Sequence, residues 1–463
     1  MAEDARAPKA GKTDKKTAVV VVHGMGEQRP LDTLRGFVEA VWTCDRSIVE
    51  PSESQVYYKP DSITGSFELR RITTRHAPLE GGVDKRVDFF EFYWAHLMTG
   101  NTLAGFTSWA MRLLIRPPWT VPGRLVFPWL AGLIVMAVVL ILLGLAALQQ
   151  FGFGAKGGPA WLPFAYLAAA VAVFLFGFIA SKWIVPVAAD EARYLSPAPD
   201  NVAARQAIRE AGIDLLDQLT RSGSYDRIVF AAHSLGAVIA YDVLNHAWGR
   251  LRYSQFKETH PKGSLANTLL NKLEEAAGAL IHAEDGDIPK ERLAYREAQR
   301  RYFAALRDLP KPFWLVSDLV TMGAPQSKAD VLLARDADEL DMRKAQRELP
   351  SCPPWLEVKD PDAGVYRFSY FPKDAVRAPH HAAVFAPVVW TNIYFPNFLL
   401  LIGDIISGAV APRLGRGIKD IRVPIGFPRL RHTHYWKDPD SLPPRPWLFA
   451  LRRAINLDMA PET

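Results

Sequence analysis

The stretch that decides the fold is Arg227–Trp248, RIVFAAHSLGAVIAYDVLNHAW. Arg227 to Ala232 is a short apolar run with the composition of a strand buried on both faces, and Gly236 to Trp248 continues as a helix. Ser234 therefore stands at a strand-to-helix turn. Ala232-His233-Ser234-Leu235-Gly236 is a G-x-S-x-G elbow with Ala in place of the first glycine. Small residues are needed around such a serine because strand and helix approach closely where it is held on a strained turn.

Working outward, Ala18 to Val22 is a second buried-strand run and ends in His23-Gly24-Met25-Gly26. Trp314 to Met322 is a third, ending in Gly323-Ala324-Pro325. Buried runs of this kind, separated by helical segments, imply an α/β fold with a mostly parallel sheet flanked by helices. Leu31 to Trp42 has apolar residues at helical spacing, and Phe67 to Thr74 and Val87 to Trp94 read as further strands. Asn201 to Arg221 places Ile208, Leu215, Leu216 and Leu219 on one helical face.

Two features interrupt this pattern. Leu125 to Ala155 contains no charged residue, and neither does the stretch between Lys156 and Lys182. Each is long enough to cross about 30 Å of hydrocarbon. With the linker QQFGFGAKGGP and with Trp129, Trp161 and Trp183 near the ends, they read as a transmembrane helical hairpin over 124–185. Arg112, Arg116 and Arg124 precede it and Lys182 and Arg193 follow, whereas the linker carries Lys156 alone. The positive-inside rule then puts both soluble parts, 17–123 and 186–463, on the cytoplasmic side. The second feature is a charged helical insertion over 253–310, with helices expected at Leu269 to His282 and Glu291 to Leu309. It reads equally as a lid and as a solvated excursion.

Composition narrows the function classes. The chain has 463 residues, a net charge of +6, 49% hydrophobic and 22% charged residues. Basic residues beside membrane spans account for the charge without nucleic acid, for which no Lys/Arg run interleaved with aromatics is present. Cys44 and Cys352 alone make neither a disulfide framework nor a thiolate metal site. Residues 1–16 are polar, lack the apolar core of a signal peptide, and read as a disordered tail. The adjacent pair His380 and His381 lacks a supporting carboxylate or thiolate cluster, so a loop role is expected, with no metal and no cofactor.

A serine hydroxyl needs a base within hydrogen-bond reach and an acid to orient that base. The C-terminal run Arg431-His432-Thr433-His434-Tyr435-Trp436 supplies two histidines, and Asp404 is a lone acid in the apolar run NFLLLIGDIISG. Residue type does not separate His432 from His434, and Asp318 and Asp420 are rival acids. Backbone N–H groups of Leu235 and of Gly24 or Met25 fit the oxyanion donors such chemistry requires.

The segments VVVVHGMGEQRP, AAHSLG, SDLVTMGAP, VWTNIYFPNFLLLIGDIISG and RHTHYW together resemble lipase and esterase members of the α/β-hydrolase superfamily, particularly bacterial membrane-associated ones. The similarity touches both ends of the chain but not the hairpin. In such proteins a W-x-N segment precedes the acid and a histidine precedes a Tyr-Trp pair by three positions. The resemblance thus implies Asp404 and His432 as partners of Ser234. It implies a serine hydrolase of carboxylic esters; because the expected spans tether the site beside the bilayer, the bilayer is an expected partner and an acyl ester of a membrane lipid the favoured substrate class, while a soluble ester or thioester would suit the same residues. The rival reading is a membrane scaffold that keeps the fold without turnover.

Overall fold

A computed structural model describes residues 15–24, 29–49, 54–61, 70–74, 86–98, 199–260, 263–360, 365–370, 377–397, 402–425 and 431–457. Isolated positions at 63 and between 118 and 194 are also described. The chain divides into two compact units, one of residues 1–24, 28–94 and 207–463, the other of 25–27 and 95–206.

The first unit is built on an eight-stranded sheet. Its strands are β1 (Lys16–Val22), β2 (Val56–Pro60), β3 (Arg70–Thr74), β4 (Val87–Phe92), β5 (Tyr225–His233), β6 (Val316–Met322), β7 (Val389–Tyr394) and β8 (Lys419–Arg422). They lie in the order β8-β7-β6-β5-β1-β4-β3-β2. The six from β8 to β4 run parallel, and β3 and β2 close the edge as an antiparallel pair. Every residue of β4 and β6 is buried, as are six of seven in β1. Strands covered by helices on both faces are mostly apolar, as β1 is, and the acids buried in β4 and β6 are held by partners, Asp88 by Lys16 and Asp318 by Arg227.

After β1 the chain fills one side of the sheet with β2, β3 and β4, from the edge inward, then passes to β5 on the other side of β1. The order reverses between β1 and β5, and in open α/β sheets ligand sites form outside the carboxyl ends of the strands at such a switch. Gly24 follows β1 and Ser234 follows β5, so both sit at that crevice.

The helices are α1 (Asp32–Val38), α2 (Pro199–Arg221), α3 (Leu235–Thr259), α4 (Leu265–His282), α5 (Ile288–Arg307) and α6 (Pro446–Ile455), of which α1, α3, α5 and α6 pack on the sheet and α4 packs on α5. The expected helix at Leu31 to Trp42 is α1 continued by a π-helical turn, Glu39–Thr43, and that after Ser234 runs eleven residues beyond Trp248. Residues 253–259, at the start of the expected insertion, belong to α3. Helices α4 and α5 start three or four residues before their expected positions. Helix α5 is fastened to β7: Arg296 Nη1 donates to the Trp390 carbonyl at 2.7 Å and Nη2 to Thr391 Oγ1 at 2.9 Å. Gln299 donates to the carbonyls of Phe385 and Val388. These buried bonds join α5 to β7 and to the segment before it.

The sequence reading ends the N-terminal tail one residue too late, since Lys16 already belongs to β1 and its ammonium meets Asp88 at 3.1 Å. Residues 1–14 lie outside the described residues, as does most of the expected hairpin over 124–185, including the whole of its second span. The positions described between Val126 and Gly144 are helical. Among the described residues no helix is long and apolar enough to cross a membrane.

Candidate active site

Strand β5 ends at His233 and helix α3 begins at Leu235, so one residue makes the whole turn. That residue, Ser234, has φ of +54°. A left-handed backbone costs an L-residue about 1–2 kcal/mol, and it persists where the surroundings over-determine it. Here the Ser234 N–H donates to the Met322 carbonyl at 3.0 Å and its carbonyl accepts from Ala237 N–H at 2.9 Å. A Cβ on Gly236 would collide with the backbone carbonyl oxygens of Val22 and His23, so this position of the motif demands glycine. A Cβ on Gly24 would lie 2.8 Å from His233 Nδ1 and 3.0 Å from Ser234 Cβ. Ala232 is fully buried, and its methyl is accommodated.

Ser234 Oγ lies 2.9 Å from His432 Nε2, and His432 Nδ1 lies 3.0 Å from both carboxylate oxygens of Asp404. A carboxylate only accepts, so Nδ1 carries the proton and Nε2 accepts from the serine hydroxyl. Three residues separated by up to 198 positions thus form one hydrogen-bonded chain. It is His432, not His434, whose ring meets the serine; the His434 N–H closes a turn onto the Arg431 carbonyl at 2.9 Å.

Asp404 is completely buried. Burial pushes its carboxyl upward, but the neighbouring His432 and hydrogen bonds from His432, Tyr435 and Ser407 outweigh this and hold it well below the usual carboxylate range. Tyr435 Oη donates to Oδ2 at 2.7 Å, and the N–H groups of Ile406 and Ser407 donate to Oδ1 at 3.0 and 3.2 Å. The lone acid of the apolar run has the partners that a buried charge requires.

Two loops must meet for this contact. The Arg431 N–H donates to the Gly403 carbonyl at 2.9 Å, which splices the histidine loop to the acid loop. Lys328 Nζ donates to the carbonyls of Ile405, at 2.6 Å, and Ile406. His233 Nε2–H donates to the His432 carbonyl at 2.7 Å and so fixes the backbone of the histidine itself. Burial first, and then the adjacent His432, drives His233 down to about 3, so it serves as a neutral donor. Sequence reading missed His233, Lys328 and Tyr435 in these roles. Only Tyr435 carried a signal, as part of the motif around His432.

Leu235 opens α3, so its N–H belongs to the first turn, where no intrahelical acceptor exists. Gly24 is packed against the serine as described, and Met25, the other expected oxyanion donor, lies outside the described residues. The imidazole is placed to take the hydroxyl proton of Ser234.

The rival acids serve elsewhere. Asp318 lies toward the opposite end of β6, where Arg227 Nη2 at 2.8 Å and Arg300 Nη1 at 3.2 Å pair with it. Asp420 accepts from Asn392 Nδ2 at 2.7 Å and from the N–H groups of Val410 and Ala411. Asn392, of the W-x-N segment, also donates to the Gly408 carbonyl at 2.9 Å and so anchors the far end of the acid loop. The rings of His380 and His381 bond to backbone, with His380 Nδ1 accepting from the Ala382 N–H and His381 Nε2 meeting the Arg347 carbonyl. Among the described residues no group of three or more His, Cys, Asp or Glu is placed to hold a metal.

Against known proteins, no family model, no curated protein and no solved structure matches this chain.

Proposed function

We propose that the chain is a membrane-anchored serine hydrolase of the α/β-hydrolase type that cleaves carboxylic esters, with acyl esters of membrane lipids as its substrates. The observation that carries this reading is the 2.9 Å contact of Ser234 Oγ with His432 Nε2, made by a serine at φ +54° and continued to a buried Asp404.

Ser234 Oγ attacks the ester carbonyl carbon while His432 Nε2 takes its proton. The carbonyl π electrons move to oxygen, and the Leu235 and Gly24 or Met25 N–H groups hold the oxyanion. Collapse expels the alcohol, which leaves with the proton from His432, and the acyl group stays on Ser234 as an ester. Water then attacks that ester, His432 accepts the water proton and returns it to Ser234 Oγ, and the carboxylic acid is released. Asp404 stays ionised throughout and holds the imidazole in orientation.

The helical positions described in the first expected span support a lipid-facing segment. Leu130, Ile134, Val138, Leu140 and Ile141 are 41–63% exposed and share one broad side of the helix. Apolar exposure on one helical stripe marks a surface that meets lipid or another protein. Both soluble parts then lie on the cytoplasmic side. A cysteine at Gly157 should react with an impermeant reagent from outside the cell, and reactivity from the cytoplasm alone would reject the two-span topology.

A fluorophosphonate probe tests the chemistry. The wild-type protein should be labelled, Ser234→Ala and His432→Ala should lose labelling, and His434→Ala should retain it. A folded, unlabelled wild-type protein would instead favour the scaffold. Turnover of a panel from short-chain esters to phospholipids then reads the substrate class.

A further inference from the structure

A cavity of about 940 Å³ lies in the sheet-containing unit, bordered by edge strand β8, helix α6 and the turn after Cys44. None of Ser234, His432 or Asp404 lines it. Its volume is at the upper end of the range of about 300–1,000 Å³ in which small molecules bind.

Its charge is one-sided. Seven basic side chains and a single carboxylate, Asp45, border the cavity. Arg452 meets that carboxylate at 3.5 Å and the carbonyls of Ala40 and Cys44, while Arg296 and Arg300 are bonded into the wall at β7 and Asp318. Arg46 and Arg422 are exposed at the rim. Like charges between low-dielectric walls focus their field into the space between them, so the cavity attracts anions.

Its walls are apolar. Ile48 and Val423 are buried along it, and Leu442 and Phe449 line it while 63% and 56% exposed. A bare anion would leave that surface wet, and a neutral lipid would make no use of the cations. The matching ligand has both parts.

We propose that this cleft is a second binding site, taking an anionic amphiphile whose head lies between Arg46 and Arg422 and whose acyl tail runs along Ile48, Val423 and Phe449. The cleft is separate from Ser234, and only the fatty-acid source of its ligand rests on the proposed ester cleavage. Its ligand comes either from the bilayer, as an anionic phospholipid, or from ester cleavage, as a free fatty acid.

The test is calorimetric titration of the full chain in zwitterionic nanodiscs with inorganic phosphate, butyl phosphate and octyl phosphate, referenced to empty discs. Affinity should rise along the series, by up to about fourfold for each methylene buried. The Arg46→Glu/Arg422→Glu double variant should weaken octyl phosphate at least about tenfold. Raising salt on the wild-type protein should weaken it too, a check that needs no variant to fold. Octanoate and dioctanoyl phosphatidic acid distinguish the sources: tighter octanoate assigns the cleft to fatty acid, tighter phosphatidic acid to phospholipid. No binding of octyl phosphate above empty discs, no gain with chain length, or equal affinity in a double variant that unfolds at the wild-type temperature overturns the proposal. Fluorophosphonate labelling of Ser234 stands or falls separately.

Discussion

Replacing Tyr435 by Phe removes one hydroxyl and leaves the ring in place. That hydroxyl is buried and donates to Asp404 Oδ2 at 2.7 Å. Oδ1 keeps the Ile406 and Ser407 N–H groups, but Oδ2 is left with His432 alone. A hydrogen bond to a charged group contributes about 1.5–3 kcal/mol, and 1.36 kcal/mol corresponds to one pKa unit. The Asp404 carboxyl should therefore rise by about one to two units from its depressed value and remain ionised at neutral pH. Because its native value lies below the unfolded one near 3.8, Asp404 contributes stability that is complete above that pH and is lost as pH falls through the native value. Urea unfolding at pH 7 should find Tyr435→Phe less stable by about 1.5–3 kcal/mol. Between about pH 4 and 2 the variant should lose less stability than the wild type, since less of the shift remains to be lost. Its rate in the proposed ester hydrolysis should fall far less than that of Asp404→Asn, because both oxygens of the acid still reach His432. A variant within about 0.5 kcal/mol of wild type at pH 7, with the same acid loss, would refute the view that this hydroxyl solvates the buried charge.

Gly323 has φ of +64°, and a Cβ there would lie 3.0 to 3.3 Å from Tyr435, Asp404 and His432. Gly323→Ala should cost more than about 1–2 kcal/mol and depress fluorophosphonate labelling, as read by thermal unfolding and gel labelling. Asp318→Asn leaves Arg227 buried beside a neutral partner and should destabilise by about 3–5 kcal/mol in urea, with Ser234 still labelled in the protein that remains folded. His233 is held down to about 3 from 6.5, chiefly by burial, so its contribution is complete above 6.5 and is lost as pH falls toward 3. His233→Gln removes that titration and should flatten the stability profile over this window, measured by urea midpoints from neutral to acid pH.

The features legible from the chain were those set by local physics. Strands β1, β5 and β6 announced themselves because strands buried on both faces carry apolar runs, Ala18–Val22, Ile228–Ala232 and Leu319–Val320 here, and the elbow did so because a one-residue turn admits few residue types. Strands β7 and β8 did not. Thr391 and Asn392 are buried in β7 with their polar groups satisfied by Thr321, Arg296, Gly408 and Asp420, partners that no periodicity reveals. Strand β8, Lys-Asp-Ile-Arg, is a short polar edge. The buried acids Asp318 and Asp404 and the largely buried Asp420 are each held by different neighbours, so burial alone does not single out the acid beside Ser234. The two histidines stand two positions apart, in identical chemical dress. What separates them is the bond from Arg431 to Gly403 and the grip of His233 on the His432 carbonyl, which turn one ring toward the serine. Those contacts join segments from β5, the acid loop and the C-terminal loop, and side chains so far apart along the chain acquire a common geometry only when the sheet brings their loops to one edge.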